Sequence, residues 1–110
     1  MILKDLLDYL NTQLSVGVYA EAPAQLTDYV LLDQTATSNE NHVTTTTIAV
    51  QSYGATLYDA MVLNETVKVA MEGFAEQPQV AKVKLETDYN FTNTATKQYR
   101  WQAVYHITHY

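Results

Sequence analysis

Apolar residues recur every three or four positions along the first fourteen residues, with charged and amide side chains between them. This period predicts an amphipathic helix that packs a stripe of leucines on a core. A second helical period covers about residues 54–72, with Ser52 as its candidate N-cap and Gly73 as its candidate C′ residue. The sequence therefore predicts two helices, of which the second is the longer.

Between the helices, aliphatic and β-branched residues predict a first pair of strands. Tyr29–Thr35 and Val43–Val50 are rich in such residues, and the polar sequence TSNEN lies between them. Two strands joined by a short polar loop form a hairpin. The threonines Thr44–Thr47 fit either face of a strand, so the pattern leaves the register of this hairpin open.

After Pro78, apolar and aromatic residues occupy every second position of two further strands. They predict a second hairpin around the loop TNTATKQ, with both apolar sets on one face of the sheet. A symmetric register gives three cross-strand pairs: Phe91 with Tyr99, Tyr89 with Trp101, and Leu85 with Tyr105. Such pairs stabilise a sheet by roughly 0.2–1 kcal/mol each relative to Ala–Ala, so the alternation is mainly core architecture.

Strand pairs separated by a helix predict the α+β class, in the order α-β-β-α-β-β. We expect a mainly antiparallel sheet of two hairpins, with both helices packed on one face. The chain has 110 residues, which is close to the commonest domain size. We therefore expect one domain over residues 1–110.

Composition narrows the classes of function. Twelve acidic against six basic residues give a net charge of −6, the wrong sign for a protein that grips a phosphate backbone. Cysteine is absent, so disulfides and thiol chemistry are excluded. No apolar run reaches the ~18 residues of a membrane span. Charged residues interrupt the first helix, whereas a signal peptide has an uninterrupted apolar segment. We expect a protein made and kept in the cytoplasm, without a membrane partner.

No group of residues predicts catalysis or a cofactor. His106 and His109 are three apart on a predicted strand, so they point to opposite faces and are not expected to share a metal ion. The Thr44–Thr47 run has no base beside it, the three glycines are dispersed and no serine lies in a nucleophile elbow. We expect no enzymatic activity, no cofactor and no metal site.

Tyrosine is abundant for a chain of this size. Nine tyrosines in 110 residues exceed what a small core needs, and tyrosine is favoured where one end of the side chain is buried and the other is wet. The predicted core pattern does not account for every one of the following five tyrosines: Tyr9, Tyr19, Tyr29, Tyr53 and Tyr110. They are either scattered surface aromatics, which are common, or interface residues, and we favour an interface for some of them.

Three stretches carry a resemblance to a known family. They are IAVQSYGATLYDAMVLNETV at residues 48–67, DYNFTNTATKQYRWQAVY at residues 88–105, and the closing ITHY. With the leucine-rich first helix, they resemble the tail terminator proteins of long-tailed phages and prophages of Gram-positive hosts. These proteins are also called tail completion, head–tail joining or minor capsid proteins. The similarity spans nearly the whole chain, and its signatures are structural rather than catalytic.

The resemblance implies a virion structural protein that is made in the cytoplasm of the host bacterium. Such proteins have helices on one side of an antiparallel sheet and assemble as a homo-oligomeric ring, usually a hexamer. The ring caps the tail tube at its head-proximal end, stops its growth and presents a surface for the head. The implied partners are the tail tube protein and a head-completion or connector protein. DNA passes through the lumen without specific binding, and no cofactor is involved.

The polar hairpin turn, the TNTATK loop and the edge of the last strand are the predicted subunit interface. The candidate residues are Ser38, Asn39, Glu40, Asn41, His42, Thr94, Lys97, His109 and Tyr110. A sheet edge that pairs with a neighbouring copy would satisfy its exposed backbone groups. Two alternatives stay open, a neighbouring head-completion or connector protein and a stand-alone small α+β module that binds a peptide or ligand on its sheet.

Overall fold

The computed structural model describes residues 1–24 and 27–110, which form two helices and a five-stranded sheet. The helices are α1 (Ile2–Gln13) and α2 (Leu57–Phe74). The strands are β1 (Val18–Tyr19), β2 (Tyr29–Glu40), β3 (Val43–Gly54), β4 (Val80–Asn90) and β5 (Tyr99–His109). Their order in the sheet is β1-β2-β3-β5-β4. The predicted α+β class is confirmed.

The sheet is mixed, whereas the sequence predicted only two antiparallel hairpins. The short strand β1 runs parallel to β2, with Val18 opposite Val30, and the other three strand pairs are antiparallel. An asparagine of α1 holds β1 in place. The Asn11 amide donates to the Val18 carbonyl oxygen at 3.2 Å, and its Oδ1 accepts from the Val18 N–H at 3.0 Å. Because β1 has only two residues, it is too short to show a strand pattern in the sequence.

Both helices contribute to the core that covers one face of the sheet. Alternate residues of each long strand point to the same face, and in the middle of the helix-covered face they are largely apolar and buried. The core side chains that are less than 2% exposed are Leu6, Leu10, Val30, Leu32, Ile48, Val50, Val67, Met71, Phe74, Ala103 and Ile107. No helix in residues 1–24 and 27–110 has the length and apolar character needed to cross a membrane.

Helix α2 begins and ends differently from the prediction. Ser52 does not cap it, because β3 continues to Gly54 and Ser52 is a fully buried strand residue. The cap is Thr56, whose hydroxyl accepts from the Asp59 N–H at 3.1 Å. Gly73 lies in the last turn of the helix rather than beyond it. A Cβ there would collide with the hydroxyl of Tyr9.

The first hairpin is longer than predicted. The TSNEN segment belongs mostly to β2, and the turn consists of Asn41 and His42, with φ values of 51° and 66°. Two residues with positive φ form the type I′ turn that suits a two-residue hairpin. The outer part of β2, Asp33–Glu40, is exposed on both faces. The hairpin therefore extends beyond the core.

The second hairpin contains two irregularities, at Ala81 and at Glu86, and the one at Glu86 changes the predicted pairs. Leu85 lies opposite Tyr105 as predicted, but Thr87 lies opposite Val104, so Glu86 is an extra residue in β4. Beyond it, Tyr89 pairs with Gln102 and Asn90 with Trp101, and Phe91 donates to the Arg100 carbonyl oxygen. The predicted pairs of Tyr89 with Trp101 and of Phe91 with Tyr99 are wrong, because a β-bulge turns every following side chain to the other face.

The contact between Tyr9 and α2 gives a test of the helix packing. The Tyr9 hydroxyl donates to the Ala70 carbonyl oxygen at 2.8 Å and blocks the space beside Gly73. We expect Tyr9→Phe to cost about 1 kcal/mol through the lost hydrogen bond. In that background Gly73→Ala should recover about 1 kcal/mol, because alanine favours helices over glycine. In the native chain Gly73→Ala should bring no gain, since the methyl group displaces the hydroxyl.

Urea unfolding of the four variants measures this coupling as a double-mutant cycle. Gly73→Ala effects that are equal in the two backgrounds would contradict the packing described for Tyr9.

Candidate functional site

The sheet face opposite the helices, here called the open face, is formed by side chains such as Ala49, Gln51 and Tyr53 of β3 and Arg100 and Gln102 of β5. No helix covers it in the part of the chain that the structure describes. Gln51 and Gln102 are nevertheless only 8% and 9% exposed. The open face is therefore an ordered layer rather than a solvated surface.

A chain of hydrogen bonds crosses the open face. The Gln51 amide donates to Gln102 Oε1 at 2.8 Å, and the Gln102 amide donates to the Tyr89 hydroxyl at 2.5 Å. On the other side, the Tyr53 hydroxyl donates to Gln51 Oε1 at 2.9 Å and accepts from Arg100 at 3.1 Å. The chain joins β3, β5 and β4. Each buried amide has partners, which makes burial of the two glutamines inexpensive.

Aromatic rings cover one end of the open face. Tyr29 and Tyr53 stack with ring centroids 4.3 Å apart, and Tyr19 meets Tyr29 edge-on at 6.2 Å. The Arg100 guanidinium lies 4.5 Å from the centroid of the Phe91 ring. Burial, aided by Tyr53, raises the pKa of Tyr29 above its ordinary value. The Tyr29 phenol is therefore neutral at physiological pH and acts here as a packing group.

These contacts account for several of the tyrosines that the core pattern did not place. Tyr9 joins the helices, and Tyr19, Tyr29 and Tyr53 pack on one another. Tyr110 is 76% exposed. The predicted interface role therefore stays a prediction for Tyr110.

On the helix-covered face, a charged cluster joins α2 to the second hairpin. Asp88 Oδ2 accepts from the Lys68 ammonium at 2.8 Å, from the Asn64 amide at 2.9 Å and from the Trp101 indole N–H at 3.1 Å. Lys68, with smaller contributions from the other two donors, holds the pKa of Asp88 below its usual range. The carboxylate is thus a stable acceptor rather than a proton donor at neutral pH. Its role is to fix the helix on the sheet.

The two histidines of β5, His106 and His109, lie on opposite faces of that strand. His106 contacts Thr47 through Nδ1 at 2.9 Å and Glu86 through Nε2 at 3.0 Å. His109 contacts Thr46 at 2.9 Å. Among the residues that the structure describes, no three His, Cys, Asp or Glu side chains are grouped so that they could hold a metal ion.

The nine predicted interface residues fall into two groups at opposite ends of the sheet. The register places Asn39 opposite Thr44, and Thr44 opposite His109. Ser38–His42, His109 and Tyr110 therefore share the end where the long hairpin projects. Thr94 and Lys97 belong to the β4–β5 loop at the other end, where Asn93 and Gln98 close the loop.

Sequence reasoning missed the chain across the open face and the Asp88 cluster. The signal for the first was present, since Gln51 and Gln102 interrupt runs of apolar strand residues. The second depends on the extra residue Glu86, which no local pattern marks. Scans of family models, curated proteins and solved structures each found no match to this chain.

The Asp88 cluster yields a prediction about stability and pH. Asp88→Asn removes the partner of Lys68, and we expect a loss of about 2 kcal/mol at neutral pH, since hydrogen bonds to charged groups contribute roughly 1.5–3 kcal/mol. The folded-state pKa of Asp88 is lowered, so its contribution is present above the unfolded pKa of about 4 and is lost as the pH falls below it. The stability gap between the two proteins should shrink there.

Urea unfolding followed by fluorescence of Trp101, the one tryptophan of the sequence, measures both quantities. Asp8→Asn is the matched control, because Asp8 forms an exposed ion pair with Lys4 and exposed pairs contribute little. An Asp88→Asn variant as stable as the native chain would show that the cluster does not hold α2.

Proposed function

We propose that this chain is a non-enzymatic virion structural protein of the tail terminator type. In this proposal it forms a ring that caps the tail tube, ends tail elongation and offers a joining surface to the head. The proposal joins the sequence resemblance to one structural observation, which is that both edges of the sheet are long and open. In residues 1–24 and 27–110, no strand lies outside β4 or outside β2 beyond Leu31.

The directions of the two open strands suit a ring. Strands β2, β3, β5 and β4 alternate in direction, so β2 and β4 are antiparallel to each other. A rotation about an axis parallel to the strands brings the β4 edge of one copy beside the β2 edge of the next in antiparallel orientation. The same contact repeats around the axis, and such a heterologous interface forms a ring where the rotation closes. An open edge without a partner would instead favour aggregation.

The size of such a ring is compatible with DNA passage. Each copy contributes four long strands, so six copies would contribute 24. At ~4.8 Å between strands the circumference would be ~115 Å and the diameter ~37 Å between opposite backbones. The formal charge of six copies is 6 × (−6) = −36. On the open face Lys82 and Lys84 are mixed with Glu86, so no cationic stripe would hold the phosphate backbone.

A cleft at one end of the open face supports the alternative of a ligand-binding module. It has a volume of about 480 Å³ and is lined by Tyr29, Tyr53, Asn93, Lys97, Gln98 and their neighbours. This volume lies within the range of small-molecule sites. The open edges favour the ring, because a binding module of this kind does not need them.

Whether the chain forms a ring is tested by light scattering during size-exclusion chromatography, with negative-stain images of the same fractions. Adding the protein to tail tubes assembled from the tube protein of the same genome tests the terminator role. We expect ring-shaped oligomers, formed free or on the tube ends, and tubes that stop growing once capped. Tubes without the protein are the control.

A chain that neither oligomerises nor changes tube growth would contradict the proposal. Rings that bind a head connector but leave tube growth unchanged would favour the neighbouring head-completion role. A monomer that binds a small molecule in the cleft would favour the ligand-binding module.

A further inference from the structure

We infer that Lys82–Thr87 of β4 pair with Asp33–Ser38 of β2 from a second copy of this chain, in a register set by the sheet itself. We call these segments the β4 edge and the β2 edge. The inference rests on the proposed function only in requiring that copies of the chain associate. The partner strand would add to the sheet, as in other cases of strand addition.

The register follows from the rows of the sheet, where a row is the set of residues that lie opposite one another on β2, β3, β5 and β4. Ser38 lies opposite Thr45, Thr45 opposite Thr108, and Thr108 opposite Lys82. A rotation about an axis parallel to the strands moves a copy without a shift along them. The next copy therefore places its Ser38 at the height of Lys82. Two further rows end in the pairs Lys84 with Ala36 and Thr87 with Asp33.

Each edge contains one β-bulge. The two bulges lie in the same interval along the strands, so the proposed register continues through them. In β2 the extra residue is Thr35, between Gln34 and Ala36. In β4 it is Glu86, between Leu85 and Thr87. Both irregularities lie between the row that contains Thr47 and the row that contains Ala49. Each edge therefore gains one residue over the same interval, and six consecutive residues of one edge can oppose six of the other. Beyond these six, Tyr89 of the added strand reaches the height of Leu31, where β1 lies, so this register requires β1 to leave the β2 edge.

Side chains and charge agree with the pairing. Ser38 and Lys82 share the open face, because both lie in the row of Thr45. Glu40 would be the diagonal neighbour of Lys82 on that face, within reach of a long side chain. The β2 edge carries Asp33 and no base, and the β4 edge carries two lysines against Glu86. The added strand would also lie along Leu85, an apolar side chain that is 39% exposed in the single chain.

Cysteine cross-linking tests the register, because the native chain has no cysteine. The variant Lys82→Cys/Ser38→Cys places two exposed thiols on the open face. Within one chain they are three strand spacings apart, or ~14 Å, too far for a disulfide. Mild oxidation should therefore join different copies head to tail. A non-reducing gel should show a ladder that ends at the closed ring.

The matched control is Lys82→Cys/Thr37→Cys, because Thr37 lies in the row of Thr46, on the helix-covered face. We expect it to cross-link at least about tenfold less, since thiols on opposite faces cannot reach each other. Lys84→Cys/Ala36→Cys repeats the test one rung away, should the first variant fold poorly. Trp101 fluorescence reports folding in each case.

Oxidation is carried out both in concentrated solution and on tail tubes. A ladder for the two matched pairs without capping of the tubes would support the pairing and contradict the terminator role. Capping or ring formation without cross-linking at these pairs would overturn the register and leave the proposed function intact. The absence of cross-links under both conditions would overturn the inference.

Discussion

The extra residue Glu86 in β4 determines how the second hairpin divides its side chains between the two faces of the sheet. Before it, Val83 and Leu85 face the helices opposite Ile107 and Tyr105. After it, Asp88 faces the helices and Tyr89 faces outward. Without the bulge, Tyr89 would enter the core and Asp88 would lie in solvent. The Asp88 cluster and the hydrogen bonds of the open face both depend on this one inserted residue.

The two faces of the sheet are consequently stabilised by different interactions. The helix-covered face buries apolar side chains and encloses one carboxylate, whose charge is balanced by Lys68. The open face has no helix above it and is ordered by paired amides and stacked phenols. Hydrogen bonds between neighbouring strands have fixed geometry, whereas an apolar face could repack. This order fixes β3, β5 and β4 relative to one another on the open face.

The elements with a strong period could be predicted from the sequence. Both helices and the four long strands lie close to the expected positions, because their apolar spacing reports which face is buried. Polar composition predicted a loop around Ser38. This prediction is wrong, because a strand that projects from the core has no apolar face that would mark it in the sequence. A bulge likewise leaves no trace in hydrophobicity, so the pairs beyond Leu85 could not be predicted. The pattern also did not show that Thr94 and Lys97 lie at the other end of the sheet from the projecting hairpin.

For the proposed association of copies, the bulges and charges of the two edges favour a ring over a two-fold dimer. Pairing two β2 edges over their whole exposed length would place Asp33 opposite Glu40 of the other copy, and like charges opposite each other destabilise a sheet. Pairing two β4 edges with their bulges together would place the two Glu86 side chains side by side. A β4 pairing shifted to bring Lys82 opposite Glu86 would set each bulge against a regular segment. The β2–β4 combination brings the two bulges to the same height and places no two acidic residues directly opposite each other. In the proposed assembly it repeats from copy to copy, because it joins unlike edges.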